Sequence, residues 1–220
     1  HERYELLLDL MTPMAKTYPS EMGILATSLS IQCLGGYGYC EDFPVEQHFR
    51  DARIHPIHEG TTGVQGMDLL GRKVVMKEGR AFALFLEEAR AGISEARGAA
   101  DLDPLIEQLE AALDNLEQVT GHLAGLAGTK GPEVFLADAT LYLEMFCIIA
   151  VAWQWLRQAT AARKALDGKP KSADIDFYEG KIVTARYFFA YELPKIKSLA
   201  QRLTDGDPLT VTMNSNHFSD

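Results

Sequence analysis

Apolar residues recur at three- and four-residue intervals along most of this chain, and that spacing predicts helices. The clearest case is 101–126, where Leu102, Leu105, Ile106, Leu109, Leu113, Leu116, Val119 and Leu123 form one apolar stripe. No Lys or Arg occurs between Arg97 and Lys130, so the opposite face of that helix is acidic and solvated. A loop over 128–132 follows. The helix expected over 133–166 is apolar on most sides (Phe135, Leu141, Leu143, Phe146, Ile148, Val151, Trp155), the pattern of a central bundle member, and Gly168-Lys169-Pro170 is expected to end it. Two more helices are predicted, over 80–97 and over 174–203, the latter kinked near Pro194.

Residues 6–34 are also helical in pattern, but Pro13 and Pro19 punctuate them, and each proline should end, start or kink a helix. The better segment is 20–34, with Ile24, Ser28, Ile31 and Leu34 roughly on one face. It stops at Gly35-Gly36-Tyr37-Gly38-Tyr39, because glycine terminates helices and supplies left-handed backbone. A turn at Asp42-Phe43-Pro44 leads to a short helix over 45–54, with Val45, Phe49 and Ala52 at helical spacing. His55 to Thr62 is a loop, and either Thr61 or Thr62 is placed to cap a helix carrying Val64, Met67, Leu70 and Val74 on one face. Gly71 lies inside that helix. No stretch alternates as a strand does. The expected fold class is all-α, built of helical bundles.

Composition narrows the function. A length of 220 residues permits one large domain or two small ones, and 47% hydrophobic with 24% charged residues is ordinary for a soluble globular protein. A formal net charge of -10 argues against nucleic acid and offers no polybasic surface for anionic lipid. The uninterrupted apolar run Met145 to Trp153 is far shorter than the roughly 20 residues of a membrane span, so no span is expected. Three cysteines (Cys33, Cys40, Cys147) without a CxxC spacing are read as free thiols of a cytoplasmic protein. The chain opens with the polar His1-Glu2-Arg3, without a starting Met or a visible signal peptide, and is expected to be a piece of a longer protein.

Candidate chemistry is concentrated between residues 32 and 65. Gln32 ends a helix, and Gly35, Gly36 and Gly38 leave a bare backbone that a phosphate or ribose is able to approach; the same cluster is also readable as a plain helix stop. Glu59 precedes Gly60-Thr61-Thr62 near a helix start, where a solvated carboxylate meeting the helix dipole is the simple alternative to a catalytic one. His48, His55 and His58 lack the paired spacing and cysteine partners of a metal site, so no metal is expected.

Four blocks in one order change this picture: Gln32 to Tyr39 (QCLGGYGY), Pro44-Val45-Glu46, Arg50-Asp51-Ala52-Arg53-Ile54, and Glu59-Gly60-Thr61. Together they resemble the signature of the acyl-CoA dehydrogenase family, and the spacing from Gln32 to Glu59 fits without a gap. Ala15-Lys16-Thr17-Tyr18 and Ser20-Glu21 fit the helix that precedes it. The close resemblance covers roughly 5–77. Residues 78–205 are similar, more loosely, to the helical domain appended in longer members, which implies three parts: 1–77 within the carboxyl-terminal α-helical domain, 78–205 a second bundle, and 206–220 a polar tail. Gly63 and Gln65 fit the variant with glycine after the threonines. Pro19 falls where relatives usually have a continuous helix.

The resemblance implies FAD as cofactor and an acyl-CoA thioester as substrate, oxidised to a trans-2-enoyl-CoA. Glu59 is then the base that removes the α-proton, and is expected to be buried against flavin and acyl chain, which strengthens a carboxylate as a base. Its backbone N–H would help to hold the thioester carbonyl. Gly60 would leave room for substrate, and Thr61 and Gly63 would lie against FAD. Gln32, Gly35 and Gly36 would touch the FAD of a neighbouring subunit, implying at least a homodimer, with electron-transferring flavoprotein as acceptor. Arg50 and Asp51 would pair locally to hold the loop. The family's amino-terminal helical domain and middle β-domain have no counterpart among these residues, so the piece is expected to be inactive or nearly so alone. Two other readings stand beside this one: an acyl-CoA oxidase, and a helical interaction module that keeps the signature without chemistry.

Overall fold

A computed structural model describes residues 1–168 and 170–219. Every regular element among them is helical: α1 Glu2–Leu34, a 3-10 turn Gly35–Tyr39, α2 Val45–Ala52, α3 Thr62–Asp68, a π turn Leu69–Lys73, α4 Met76–Ala96, α5 Asp103–Lys130, α6 Pro132–Leu136, α7 Ala139–Asp167 and α8 Ser172–Tyr191. A 3-10 turn Leu193–Lys195, α9 Ile196–Asp205, α10 Leu209–Thr212 and a last 3-10 turn Ser215–His217 complete the chain. The fold is all-α, and Lys169, expected at the end of α7, lies outside the described residues.

α7 is the hub. It packs most extensively on α8 and also on α3, α4, α5 and α9. Its long buried list, including Tyr142, Phe146, Ile149, Ala152, Trp153 and Leu156, follows from neighbours on nearly every side. By length and composition α7 is apolar enough to cross a membrane, but two-thirds of its most apolar window is buried inside the protein. Phe82 and Phe85 of α4 meet Phe146 edge-on at 5.9 and 4.7 Å, and Phe85 meets Trp153 at 5.6 Å, the arrangement that aromatic quadrupoles favour. α5 buries all eight positions of the stripe from Leu102 to Val119 and Leu123, as its spacing predicts. Thr120 Oγ1 ties it to the centre, 2.8 Å from the buried Tyr142 hydroxyl.

Four expectations are corrected by the structure. α1 is one helix through both Pro13 and Pro19. Each proline costs an intrahelical donor, but Leu6, Leu10, Pro13, Met14 and Thr17 are buried at helical spacing, and this packing holds the helix together against the local penalty. The loop expected over 128–132 shrinks to Gly131 at φ 87, because α5 runs through Lys130 and Pro132 begins α6 at once. α6 and α7 are separate, so Phe135 belongs to the short helix. The kink near Pro194 is a full break into α8, a 3-10 turn and α9.

The stripe predicted after Thr62 is only half right. Leu70 and Val74 are buried, but Val64 and Met67 stand 50% and 48% exposed. A π turn spans Leu69–Lys73, and the buried positions Gly66, Leu69, Leu70, Lys73 and Val74 recur at three- and four-residue spacing on a face other than the one that carries Val64 and Met67. Buried Lys73 is satisfied by Asp9 of α1 at 3.0 Å. Lys77, Glu78 and Gly79 then take three successive left-handed conformations, and the regular turns of α4 follow. The core is continuous across this bend: Leu6, Leu10, Met14, Leu69, Leu70 and Val74 belong to the same cluster as the bundle residues.

Gly66 marks the closest approach of α3 to α7. A Cβ there would lie 2.8 Å from the Ala139 carbonyl oxygen and 3.0 Å from the Thr140 nitrogen, both backbone atoms that are unable to rotate aside. Gly66→Ala should therefore destabilise the protein by about 1–3 kcal/mol despite alanine's better helix propensity. At ~2–4 °C per kcal/mol for a protein of this size, thermal unfolding followed by circular dichroism should show the midpoint falling by several degrees; an unchanged midpoint would refute the close packing.

Candidate functional site

The site is organised by α1, whose two halves have different fates. Up to Thr17 the helix lies on the core; beyond it Leu25, Leu29 and Leu34 are 47%, 55% and 41% exposed. Ile24, Ser28, Ile31 and Leu34, predicted as one face, therefore stay half-buried or exposed among the described residues. Gln32 is exposed on the last turn, and Gly35 stops the helix at φ 60. The 3-10 turn folds Gly38 back onto Ile31, whose carbonyl oxygen leaves only 2.5 Å for a Cβ at residue 38. Gly36 is different. Its φ is ordinary and, apart from its own chain neighbours, no atom among the described residues lies within 4 Å of where its Cβ would be, so packing among them does not require glycine there.

α2 carries the next block. Arg50 pairs with Glu46 one turn earlier at 2.9 Å, not with Asp51 as expected, because an i, i+4 pair shares a helix face and adjacent residues do not. Turns from Arg53 onward deliver the loop around buried Pro56 to Glu59. Glu59 is left-handed at φ 54 and Gly60 follows at φ 92. That φ favours glycine, and a Cβ on residue 60 would in addition displace the Gln65 side-chain nitrogen, which lies 2.7 Å from its place. The carboxylate of Glu59 is exposed, and the apolar surroundings expected around a base are not supplied by this chain.

Three side chains outside the predicted set hold this loop. Lys16 Nζ donates to the Gly60 carbonyl at 2.6 Å and to the His55 carbonyl at 2.9 Å. Gln65 Nε2 donates to the Glu59 carbonyl at 3.1 Å. The Thr62 hydroxyl donates to the Glu21 carboxylate of α1. Neither threonine caps α3 with its side chain: Thr61 occupies the N-cap position without a capping bond, and Thr62 is turned to Glu21 instead. Thr61 is exposed, and Gly63 has open space at its Cβ position. Sequence reasoning had Lys16 and Glu21 only as part of a matching helix; their charges five residues apart, facing a loop of free carbonyls and hydroxyls, were the available signal.

The candidate residues thus form two groups. Glu59, Gly60, Thr61 and Gly63 are docked at mid-α1 by Lys16 and Glu21, while Gln32, Gly35 and Gly36 sit at its far end. At the α-helical rise, roughly 16 Å of helix separates Glu21 from Gln32. A cofactor in contact with both groups would have to bridge that distance, or two copies would serve one group each. Both groups present exposed backbone to the outside, and the bare positions Gly36 and Gly63 suit the close approach of a flat or phosphate-bearing molecule. Among the described residues no three His, Cys, Asp or Glu side chains converge as metal ligands.

A cavity of about 360 Å³ lies on the other side of Thr62 and Glu21, between α1 and α7, with Tyr18, Leu25, Glu144, Cys147 and Glu192 among its lining residues. Burial, then the charges of Glu192 and its neighbours, pushes the Tyr18 hydroxyl up to about 12. Burial and then Glu144 push the Cys147 thiol up to about 12 as well, so both stay protonated at neutral pH. Cys33 and Cys40 are exposed and Cys147 is buried, with no disulfide among them. In the native chain, alkylation at pH 8 should modify Cys33 and Cys40 promptly and Cys147 only after denaturation. Peptide mapping of the labelled protein checks this, and native labelling of Cys147 would contradict its burial.

Comparison with known proteins identifies the family. Residues 7–75 match the family described as acyl-CoA dehydrogenase, C-terminal domain, and residues 85–214 match the one described as acetyl-CoA dehydrogenase C-terminal like. Among similar proteins, 3-methylmercaptopropionyl-CoA dehydrogenase of Ruegeria pomeroyi is 34% identical over 92% of this chain and 34% of its own length. Broad-specificity linear acyl-CoA dehydrogenase FadE5 of Mycobacterium tuberculosis is 32% identical over 86% of this chain and 32% of its own. A butyryl-CoA dehydrogenase of Syntrophomonas wolfei is 27% identical over 99% of this chain and 35% of its own. The chain spans about a third of the length of these curated relatives. With both parts matched and their helices packed on one core, the chain belongs to the acyl-CoA dehydrogenase family, of which it represents the carboxyl-terminal helical portion.

Proposed function

We propose that this chain is the carboxyl-terminal part of an FAD-dependent acyl-CoA dehydrogenase in which Glu59 is the catalytic base. The observation that carries the reading is the backbone of the Glu59 loop. A non-glycine residue in left-handed conformation costs of order 1–3 kcal/mol and persists where the surroundings over-determine it, a condition met most often at functional sites. Lys77 and Glu78 share this backbone at the bend before the regular turns of α4, but Glu59 is the glutamate of the family signature, it is exposed, and the carbonyls of Glu59 and Gly60 are both tied down by side chains.

In this reading Glu59 accepts the α-proton of an acyl-CoA thioester, and its own N–H helps to hold the thioester carbonyl as negative charge develops. Gly60 leaves room beside the base. Thr61 and Gly63 lie against FAD, and Gln32, Gly35 and Gly36 against the FAD of a second subunit. The separation of the two groups along α1 supports that division, and with it an assembly of at least two copies. When bound, FAD supplies the acceptor for the β-hydrogen, which leaves as hydride. The exposure of Glu59 and of the second half of α1 fits a site completed by surfaces outside these residues, which also provide the burial the base needs. Residues 1–77 and 78–205 act in this scheme as signature-bearing part and appended bundle, electron-transferring flavoprotein takes the electrons onward, and the unbonded cysteines support a cytoplasmic setting.

Glu59→Gln in the FAD-loaded enzyme tests the assignment. The variant should retain FAD and bind acyl-CoA, yet bleach its flavin orders of magnitude more slowly when mixed with substrate without oxygen. Bleaching at the parent rate would remove Glu59 from the mechanism.

A further inference from the structure

The strained backbone at Glu59 needs a cause, and the strongest polar contact to its loop comes from a residue far away in sequence. Lys16 is half-buried on α1, and its ammonium reaches the His55 carbonyl at 2.9 Å and the Gly60 carbonyl at 2.6 Å. These two carbonyls bracket the loop, one before Glu59 and one after it. A lysine suits the task because its compact ammonium carries three donors that rotate freely, so one atom serves two acceptors lying in different directions. Both hydrogen bonds are charge-assisted, the stronger kind. Glu21, one and a half turns further along α1, takes the Thr62 hydroxyl, so the loop is pinned to the same helix at its exit. Gln65 restrains the Glu59 carbonyl as well, at 3.1 Å. Among the described residues no other side chain fixes both ends of the loop with a single group.

We infer that Lys16 is a positioning residue for the base: by holding the His55 and Gly60 carbonyls together it sets the backbone from which the Glu59 carboxylate is presented. The inference rests on the reading of Glu59 as the base. It assigns Lys16 no contact with substrate or cofactor and no proton transfer. Its effect is geometric, and displacing a catalytic group by about 1 Å costs on the order of 100-fold in rate. Arginine is no substitute, since its rigid planar fork cannot converge on two carbonyls from one point.

The test uses the FAD-loaded enzyme carrying Lys16→Met, which keeps side-chain length and removes the donors, with Lys16→Arg and Glu59→Gln alongside. For each, FAD content, thermal midpoint, acyl-CoA dissociation constant, the anaerobic flavin-bleaching rate and its α-deuterium isotope effect are measured. Lys16→Met should keep its FAD and its affinity for acyl-CoA while bleaching falls about 10- to 100-fold, and the isotope effect should persist or grow because proton removal has become slower. Lys16→Arg should be slow as well. A parent rate in Lys16→Met, with Glu59→Gln slow, would overturn the role of Lys16 and leave the base assignment standing. A parent rate in Glu59→Gln would overturn both. Should Lys16→Met lose FAD or unfold, Lys16→Arg decides: bound FAD with slow bleaching supports positioning, and parallel loss of FAD in both variants makes Lys16 a purely structural anchor.

Discussion

The burial of α7 is the constraint on which the rest of the structure depends. A helix apolar on nearly all sides has no stable surface in water, so α3, α4, α5, α8 and α9 must surround it. That requirement explains features that look unrelated in sequence. Gly66 lets α3 touch the α7 backbone, and Gly92 leaves room for Trp153, whose ring nitrogen would lie 2.7 Å from a Cβ there. Thr120 satisfies the Tyr142 hydroxyl that the packing would otherwise leave buried and unpaired. The parts before and after residue 77, each similar to its own family, share this one core and cannot be separated at their contact without exposing it.

The candidate site uses that rigidity at one remove. The first half of α1 is clamped to the core by Leu6, Leu10 and Met14, and by the Asp9–Lys73 pair. Its second half projects from the core and carries the glycine strip. Lys16 and Glu21 stand where one half gives way to the other, and they fasten the Glu59 loop to the helix just beyond its buried half. A base on a strained loop is thereby referenced to a packed scaffold, while the surfaces around it remain exposed for the cofactor, the substrate and the rest of the protein.

Much of this was legible in the sequence, for physical reasons that differ by element. The stripe of α5 was readable because a helix half-buried on one side must repeat its apolar residues every three or four positions, and all eight are buried. The central role of α7 was readable from a pattern apolar on most sides. Sequence alone also determined the family, because the signature blocks from Gln32 to Thr61 keep their order and spacing. What tertiary structure decided was wherever packing opposes local preference or joins distant residues. Burial of the first half of α1 carries one helix through two prolines at which the local pattern predicted an end, a start or a kink. The close approach of Gly66 to α7 selects the buried face after Thr62, so Leu69 and Leu70 are buried while Val64 and Met67 stay exposed. The left-handed backbone of Glu59 and the reach of Lys16 across 39 and 44 residues to His55 and Gly60 arise only once α1 and the loop are brought together, because a hydrogen bond between remote positions has no periodicity for a sequence to display.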